Sequence, residues 1–464
     1  MLRWIKTVGF LWLLCAVSLT GCHATLPDVS RMEDERTDDG TPPVIVGPRG
    51  ELQPSKSRDI MSRLQQKTGS AELIKANISL METLGGPPLT ASNHVTLLVD
   101  GPATFASMSE AISEAKEHVN VETYIFDDDE VGRHFADLLI RKQSEKVQVN
   151  LIYDSVGCLG TPPAFFKRLK DAGVHVLEYN PVNPLKVKKA QLLTNRDHRK
   201  LVVVDCRVAF TGGVNLSGVY SEGRSMGSAP GTEAQAGWRD THVRIAGPSV
   251  AQFQQLFLDT WREQKGPELD EKKYIGEMKP EGRAYVEVIG STPGAQNRLT
   301  YFMYISAIKN AKSFVHLTTS YFIPDKQFVD TVTDAARRGV EVKLILPGVS
   351  DSKLAFYASR SRYEDLLESG VRLYERRSRM LHAKTAVIDG VWSTVGSTNL
   401  DQLSFQYNNE INAIILDTDF ADAMEGLFNR DVAASNEITR DAWSQRPPWD
   451  RVMEFFSRAF SGTL

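Results

Sequence analysis

The stretch that begins at His94 is written twice in this chain, and the second copy begins at Tyr285. Strand-like Val95-Thr-Leu-Leu-Val-Asp100 answers Tyr285-Val-Glu-Val-Ile-Gly290, and each precedes a run of helical periodicity, Phe105 to Glu117 and Leu299 to Lys312. Residues 121–126 then match 315–323, residues 147–154 match 340–347, and residues 172–180 match 369–375, all in the same order. A series repeated in order predicts two like units. Helix-period and strand-period segments alternate from about Ser70, which predicts an α/β fold with a largely buried sheet. The 464 residues, 42% of them hydrophobic, suffice for two cores, since one core rarely grows past roughly 250 to 300 residues.

Each copy leads into the same chemical motif. The first reads His198-Arg-Lys200-Leu-Val-Val-Val-Asp205 and then Thr211-Gly-Gly-Val-Asn215; the second reads His382-Ala-Lys384-Thr-Ala-Val-Ile-Asp389 and then Gly396-Ser-Thr-Asn399. In both, the asparagine follows the histidine by seventeen positions (215 − 198 and 399 − 382). On a strand, residues two apart share a face, so a nucleophilic imidazole and a cation point together. Asp205 and Asp389 lie at odd spacing from the histidines and are expected to support the site rather than touch substrate. Gly212, Gly213, Gly396 and Ser397 let the backbone approach an anion, and Asn215 and Asn399 offer amide donors. A lone His-x-Lys pair is an accident of composition; two inside a duplicated frame are not.

These residues resemble the phospholipase D superfamily, whose signature is H-x-K-x4-D followed by G-[GS]-x-N, two copies per site. Trp238-Arg-Asp-Thr-His242, Asn399-Leu-Asp-Gln-Leu-Ser404 and Asn409-Glu410 are similar to the cardiolipin synthase branch. The resemblance implies two α/β/α sandwich domains with mixed sheets, related by a pseudo-twofold axis, with one active site at their interface. It also implies a two-step displacement without metal or other cofactor. His198 would be the nucleophile and His382 the general acid and then base, or the reverse. Lys200, Lys384, Asn215 and Asn399 would hold the phosphoryl oxygens. Glu410 would orient His382 and Asp240 would orient His198. The expected reaction is phosphatidyl transfer between phospholipids, cardiolipin from phosphatidylglycerol leading. Hydrolysis to phosphatidic acid, a nuclease, and a noncatalytic lipid-binding lipoprotein stand as alternatives.

The N-terminus has Arg3 and Lys6, the apolar run Val8 to Leu19, and then Leu19-Thr20-Gly21-Cys22. It resembles a bacterial lipoprotein signal in which Cys22 is lipidated, which implies attachment to the cell envelope facing the periplasm, with the outer membrane favoured. The polar, proline-rich stretch after it is expected to be a tether. The expected division is therefore signal 1–22, tether 23–70, first domain 71–275 and second domain 276–464. Cys158 and Cys206 remain, expected as unpaired thiols rather than a disulfide.

A net charge of −4 argues against bulk coating of nucleic acid. Local clusters precede each motif: Lys186, Lys188, Lys189, Arg196 and Arg199, then Arg372, Arg376, Arg377 and Arg379. They are expected to recruit anionic phospholipid headgroups, with a solvated charged face as the alternative. Pro184-Leu185 and Met380-Leu381 are candidates for acyl contact or for plain packing. His242 is read as a neighbour of the site, and His94, His118, His134, His175 and His316 as ordinary residues.

Overall fold

The computed structural model describes residues 26, 41–68, 70–182, 195–221, 237–269, 278–293 and 298–459. The signal, Cys22, Pro184-Leu185 and the lysines at 186, 188 and 189 lie outside the described residues. Among those described, no helix is long and apolar enough to cross a membrane.

The chain opens with β1 (Ile45–Gly47), β2 (Gly50–Glu51), α1 (Pro54–Thr68) and α2 (Ala71–Thr83). The first repeat runs β3 (Leu89–Val99), α3 (Asp100–Glu114), β4 (His118–Thr123), α4 (Glu130–Ser144), β5 (Gln148–Asp154), α5 (Pro163–Asp171), β6 (His175–Tyr179), β7 (Lys200–Val204), β8 (Val208–Gly212), β9 (Thr241–Ala246) and α6 (Val250–Glu263). The second runs β10 (Ala284–Ser291), α7 (Leu299–Lys309), β11 (Phe314–Thr318), β12 (Phe322–Ile323), α8 (Lys326–Arg337), β13 (Glu341–Pro347), α9 (Lys353–Arg360), α10 (Tyr363–Glu368), β14 (Arg372–Arg376), β15 (Thr385–Ile388) and β16 (Trp392–Gly396). It closes with β17 (Leu400–Asp401), α11 (Gln402–Gln406), β18 (Glu410–Leu416), α12 (Thr418–Ala433), β19 (Ser435–Ile438), α13 (Arg440–Ser444) and α14 (Pro448–Ala459).

The two sheets have one topology. In the first the order is β3-β9-β8-β7-β4-β5-β6, with β4, β5 and β6 parallel and the rest antiparallel. In the second it is β10-β18-β16-β15-β11-β13-β14, with β19 added at the edge. The start of β3 also pairs antiparallel with β10, so the sheets join at their edges. Strands β7, β8, β15, β16 and β18 are buried along their whole length. Continuous apolar strands of that kind need cover on both faces. One core unites Leu201, Val203, Ile245 and Phe253 of the first repeat with Val286, Val387, Val395 and Ile411 of the second. The outer face of each sheet carries its own helices and core.

Two expectations change. Residues 45–68 are not part of a tether: they form β1, β2 and α1, and β1 pairs with β3. The spacing of Ile60, Met61 and Leu64 gives α1 an apolar stripe that joins α2 in the core of the second repeat, beside Tyr301, Tyr304 and Ile308. Asn77 Nδ2 donates to the carbonyl of Met303 (3.1 Å) and Asn77 Oδ1 accepts from Trp392 Nε1 (3.2 Å). Residues 71–83 therefore pack with the second repeat, not the first. Cys158 and Cys206 are both buried and unpaired.

Asp205 and Asp389 end β7 and β15 in a left-handed turn, φ 52° and 51°. The Asp205 carboxylate accepts from the backbone N–H groups of Lys116, Glu117 and His118 (2.8, 2.8 and 2.9 Å). Asp389 does the same with Lys312, Ser313 and Phe314 (2.8, 2.8 and 2.9 Å). They clamp the entry of the neighbouring strand at the far end of the hairpin from the histidines. Although they belong to the duplicated motif with the histidines and lysines, they do not reach the chemistry: a strand of this length carries the residue seven positions on away from the histidine. Asp205→Asn is expected to destabilise the fold by about 2 kcal/mol, because an amide carries one acceptor oxygen where three donors converge. Turnover per folded molecule should stay within about twofold of the parent. Denaturant melts beside rates normalised to folded protein check this, and a turnover loss matching that of a histidine variant would return Asp205 to the chemistry.

Candidate active site

The two His-x-Lys segments meet where the repeats face each other, and backbone bonds between the halves bring them there. His198 N–H donates to Asn409 O (3.0 Å) and Asn409 N–H to Arg196 O (2.8 Å); His382 N–H donates to Arg239 O (2.8 Å) and Arg239 N–H to Met380 O (2.9 Å). Each is a short parallel bridge, Asp197 with Asn409 and Arg239 with Leu381. The residue after each bridge partner is an acid. His198 Nδ1 lies 3.0 and 3.1 Å from the two oxygens of Glu410, and His382 Nδ1 lies 2.7 Å from Asp240 Oδ2. The pairing is thus crossed between the repeats, the reverse of the expected assignment, because the bridges set each histidine beside the other half's acid.

A carboxylate only accepts, so Nδ1 carries the proton and Nε2 of each ring keeps its lone pair. Burial raises the Glu410 carboxyl, but His198, Lys200 and Ser397 outweigh it and hold it below the usual range. Burial likewise raises Asp240, and His382, Lys384 and the Thr241 N–H reverse the sign. Burial pushes His198 down to about 4 against the pull of Glu410, and lowers His382 together with the charge of Lys384. Both rings rest neutral. Each lysine reaches back to the carbonyl of its own histidine, Lys200 Nζ at 2.6 Å and Lys384 likewise, as neighbours two apart on one strand face can. Desolvation lowers Lys200 to about 7 and Lys384 to about 8.

The two asparagines are not equivalent. Asn215 commits an amide hydrogen to Tyr220 Oη (2.8 Å) and accepts from Ile125 N–H (3.2 Å). Asn399 Oδ1 is buried without a hydrogen-bond partner. Of the basic clusters, Lys186, Lys188 and Lys189 lie outside the described residues, and the described arginines are engaged within the fold. Arg199 is fully buried, donating to Glu410 O (3.1 Å), Thr260 Oγ1 (2.7 Å) and Ser291 O (3.1 Å), and thereby ties the repeats together behind the site. Arg196 is buried on Asn180 O, Arg376 donates to Ala434 O, and Arg379 holds Asp100 (3.0 Å). Arg372 pairs with Glu437, and Arg377 is exposed but donates to the carbonyls of Ala433 and Ala434. Adjacency in sequence suggested a patch, whereas Arg196 and Arg199 are buried and the others are held by partners in the fold. Met380 and Leu381 are buried in packing. His242 is buried with neither ring nitrogen bonded, and burial drives it down to about 3.

Three side chains at the site were not read from sequence, and a fourth, Trp238, was read only as part of a motif. Tyr124 stands edge-on to His198 (5.1 Å between ring centres) and under Lys200 Nζ (5.2 Å). Ser320 Oγ accepts from Lys384 Nζ at 2.6 Å. Strand register makes Tyr124 and Ser320 equivalent, since Val119 faces Val204 as Val315 faces Ile388; position-by-position alignment of the repeats would have found both. Tyr220 Oη lies 3.3 Å from His382 Nδ1, and Trp238 packs on the same ring at 5.4 Å. Among the described residues no group of three or more His, Cys, Asp or Glu is arranged to hold a metal ion.

Residues 108–222 and 304–432 match a family model described as cardiolipin synthase, PLD-like domain. The chain is 31% identical over 409 residues to the cardiolipin synthase of Alkalihalophilus pseudofirmus, covering 87% of this chain and 78% of that protein. It is 33% identical over 380 residues to the major cardiolipin synthase ClsA of Bacillus subtilis, covering 81% and 76%. In fold it is similar to the crystal structure of phosphatidylserine synthase from Haemophilus influenzae, with a TM-score of 0.61 at 14% identity over 84% of this chain and 97% of that one.

The repeats differ behind the acids. Ser397 Oγ donates to Glu410 Oε2 (2.5 Å), while a Cβ on the equivalent Gly213 would lie 2.1 Å from Asp240 Oδ1. The shorter acid occupies the space a side chain would need. Gly213→Ala is expected to displace Asp240, let His382 turn, and lower kcat by about 10²-fold or more with the fold intact. Rates beside thermal melts check this; unchanged kcat would mean that Asp240 does not orient His382.

Proposed function

The chain belongs to the cardiolipin synthase family with phospholipase D-like domains, and on that premise we propose that it joins two phosphatidylglycerol molecules into cardiolipin and releases glycerol. It is an enzyme of the phospholipase D superfamily acting in phospholipid phosphatidyl transfer. The observation that carries the finer reading is the pair of crossed His-acid couples with their Nε2 lone pairs free and two lysines beside them.

In the proposed sequence His198 Nε2 attacks the phosphorus of the first phosphatidylglycerol, and the bond from phosphorus to the glycerol headgroup breaks. His382, which enters this step protonated, gives its proton to the leaving glycerol oxygen. The resting ring is neutral; a bound phosphodiester anion offsets the lysine charges and favours that proton. The headgroup hydroxyl of the second phosphatidylglycerol then attacks phosphorus, returns a proton to His382 and breaks the nitrogen–phosphorus bond. Lys200, Lys384 and Asn399 would steady the phosphoryl oxygens. The assignment of His198 as nucleophile is supported by the double contact of Glu410 on its ring, with Ser397 behind that acid. Lipid on Cys22, expected from the sequence, would hold the enzyme at its substrate's surface.

The test is lipid mass spectrometry after incubation with phosphatidylglycerol in mixed micelles, beside His198→Ala and His382→Ala. Cardiolipin with glycerol is expected from the parent, and each variant should lose about 10³-fold or more. Phosphatidic acid alone would make water the acceptor, and no product would sink the reading.

The site also sets a pH profile. His198 attacks only as the neutral ring, a form lost as pH falls through about 4; Lys200 and Lys384 act only as cations, lost as pH rises through about 7 and 8. His382 must also enter protonated, a form the free enzyme loses below the ordinary imidazole value, so the bell of kcat/KM, which reports the free enzyme, is expected to begin its alkaline fall there and to steepen through the lysine values. An alkaline limb at the ordinary lysine position would rule out the lysines as its origin.

A further inference from the structure

Apart from Val44 and Met278, every exposed large apolar side chain among the described residues lies on α14 or on two loops. Helix α14 is turned inside out for a helix of this composition. Its buried side is polar: Glu454 meets Arg446 (2.9 Å) and Arg360 (3.5 Å), and Asp450 accepts from Tyr357 Oη (3.4 Å), which seats the helix on α9. Its outer side presents Trp449 (67% exposed), Val452 (41%), Phe455 (74%) and Phe456 (59%). At 100° per residue these fall on one arc, with exposed Arg451 and Arg458 along its edge.

The loops lead to the cleft. Val349 (53% exposed) precedes Asp351, which accepts from Tyr321 Oη (2.6 Å), acts on Lys384, and is followed directly by α9. Leu159 (61% exposed) tips the loop after β5, the counterpart of the loop after β13. There Cys158 Sγ donates to the carbonyl of Tyr124 (3.5 Å), whose ring flanks His198. Both repeats therefore put an apolar tip beside the approach to the histidines, and α14 adjoins the second.

We propose that the outer face of α14, with the tips at Leu159 and Val349, is a docking surface for an anionic phospholipid bilayer that seats the cleft on the lipid. This rests on the phosphatidyl-transfer reading, which requires a phosphodiester at the bilayer surface to enter the cleft. A second copy of the chain fits poorly. The exposed side chains of α14 amount to about 500 Å² of apolar surface, below the roughly 800 Å² per partner of a stable interface. A bilayer needs no matching partner surface, and arginines beside an aromatic face suit anionic headgroups while their stems lie along the apolar boundary.

The test uses the full-length protein with vesicles of phosphatidylglycerol and phosphatidylethanolamine carrying bromine at mid-chain, a quencher of tryptophan fluorescence. Quenching is expected to fall in Trp449→Phe by the share of one lipid-inserted tryptophan; identical quenching in parent and variant overturns the proposal. W449S/F455S/F456S is expected to turn over vesicle phosphatidylglycerol about tenfold more slowly, with its rate on short-chain phosphatidylglycerol dissolved as monomers unchanged. Equal rates on vesicles, or a parental dimer that this variant dissolves, also overturn it. A parent without turnover but with the Trp449 quenching difference would sink phosphatidyl transfer and still support docking.

Discussion

Two parallel bridges of backbone hydrogen bonds between the repeats decide what this molecule can do. In each, a histidine N–H is held by a carbonyl of the other half, and the next residue of that half is the acid facing the imidazole. Neither repeat supplies the acid that faces its own site histidine. Arg199, between His198 and Lys200, points away from the site and bonds to Glu410 O and Ser291 O of the second repeat. On the other side Arg239 pairs with Asp431 (2.7 Å). An unpaired buried guanidinium is costly, so the same two segments that align the chemistry also penalise separation of the halves.

The charge pattern follows from that closure. Two carboxylates are ionised, two imidazoles are neutral, and two lysines are held well below their ordinary values. In water such lysines would simply be cations. Here desolvation outweighs the pull of Glu410 and Asp240, which the histidines already occupy, and of the more distant acids Asp197, Asp351 and Asp401. A phosphodiester entering the site would supply the missing counter-charge, stabilise both ammonium groups, and favour a proton on one imidazole. On the proposed chemistry the substrate would thus help to set the protonation state that its own displacement requires.

Much of this was legible because strand geometry is legible. Spacing of two put histidine and lysine on one face, and spacing of seven marked Asp205 and Asp389 as distant support, which their three backbone bonds each explain. The internal repeat gave two like units with the same order of strands and helices. The crossed pairing was not legible, because a duplicated sequence states which residues correspond and not which half supplies a neighbour. The arginine clusters misled for a related reason: Arg196 and Arg199 are near each other in sequence, but both turn inward to backbone carbonyls of the fold. The helix at 54–68 was hidden behind a proline-rich leader that composition alone marks as unfolded.

The repeats agree in backbone and differ in what surrounds each histidine. His198 has a glutamate touching it with both oxygens, a serine behind that acid and a tyrosine edge; His382 has an aspartate lying where a Cβ would be, with a tyrosine hydroxyl and an indole against the ring. Identical surroundings would give two groups with the same basicity and freedom. On the proposed chemistry the two histidines take unlike roles, one that stays bonded to phosphorus while the other passes a proton out and takes one back. Duplication supplies the symmetric frame, and the differences between Gly213 and Ser397 and between Asp240 and Glu410 break the symmetry where the proposed roles diverge.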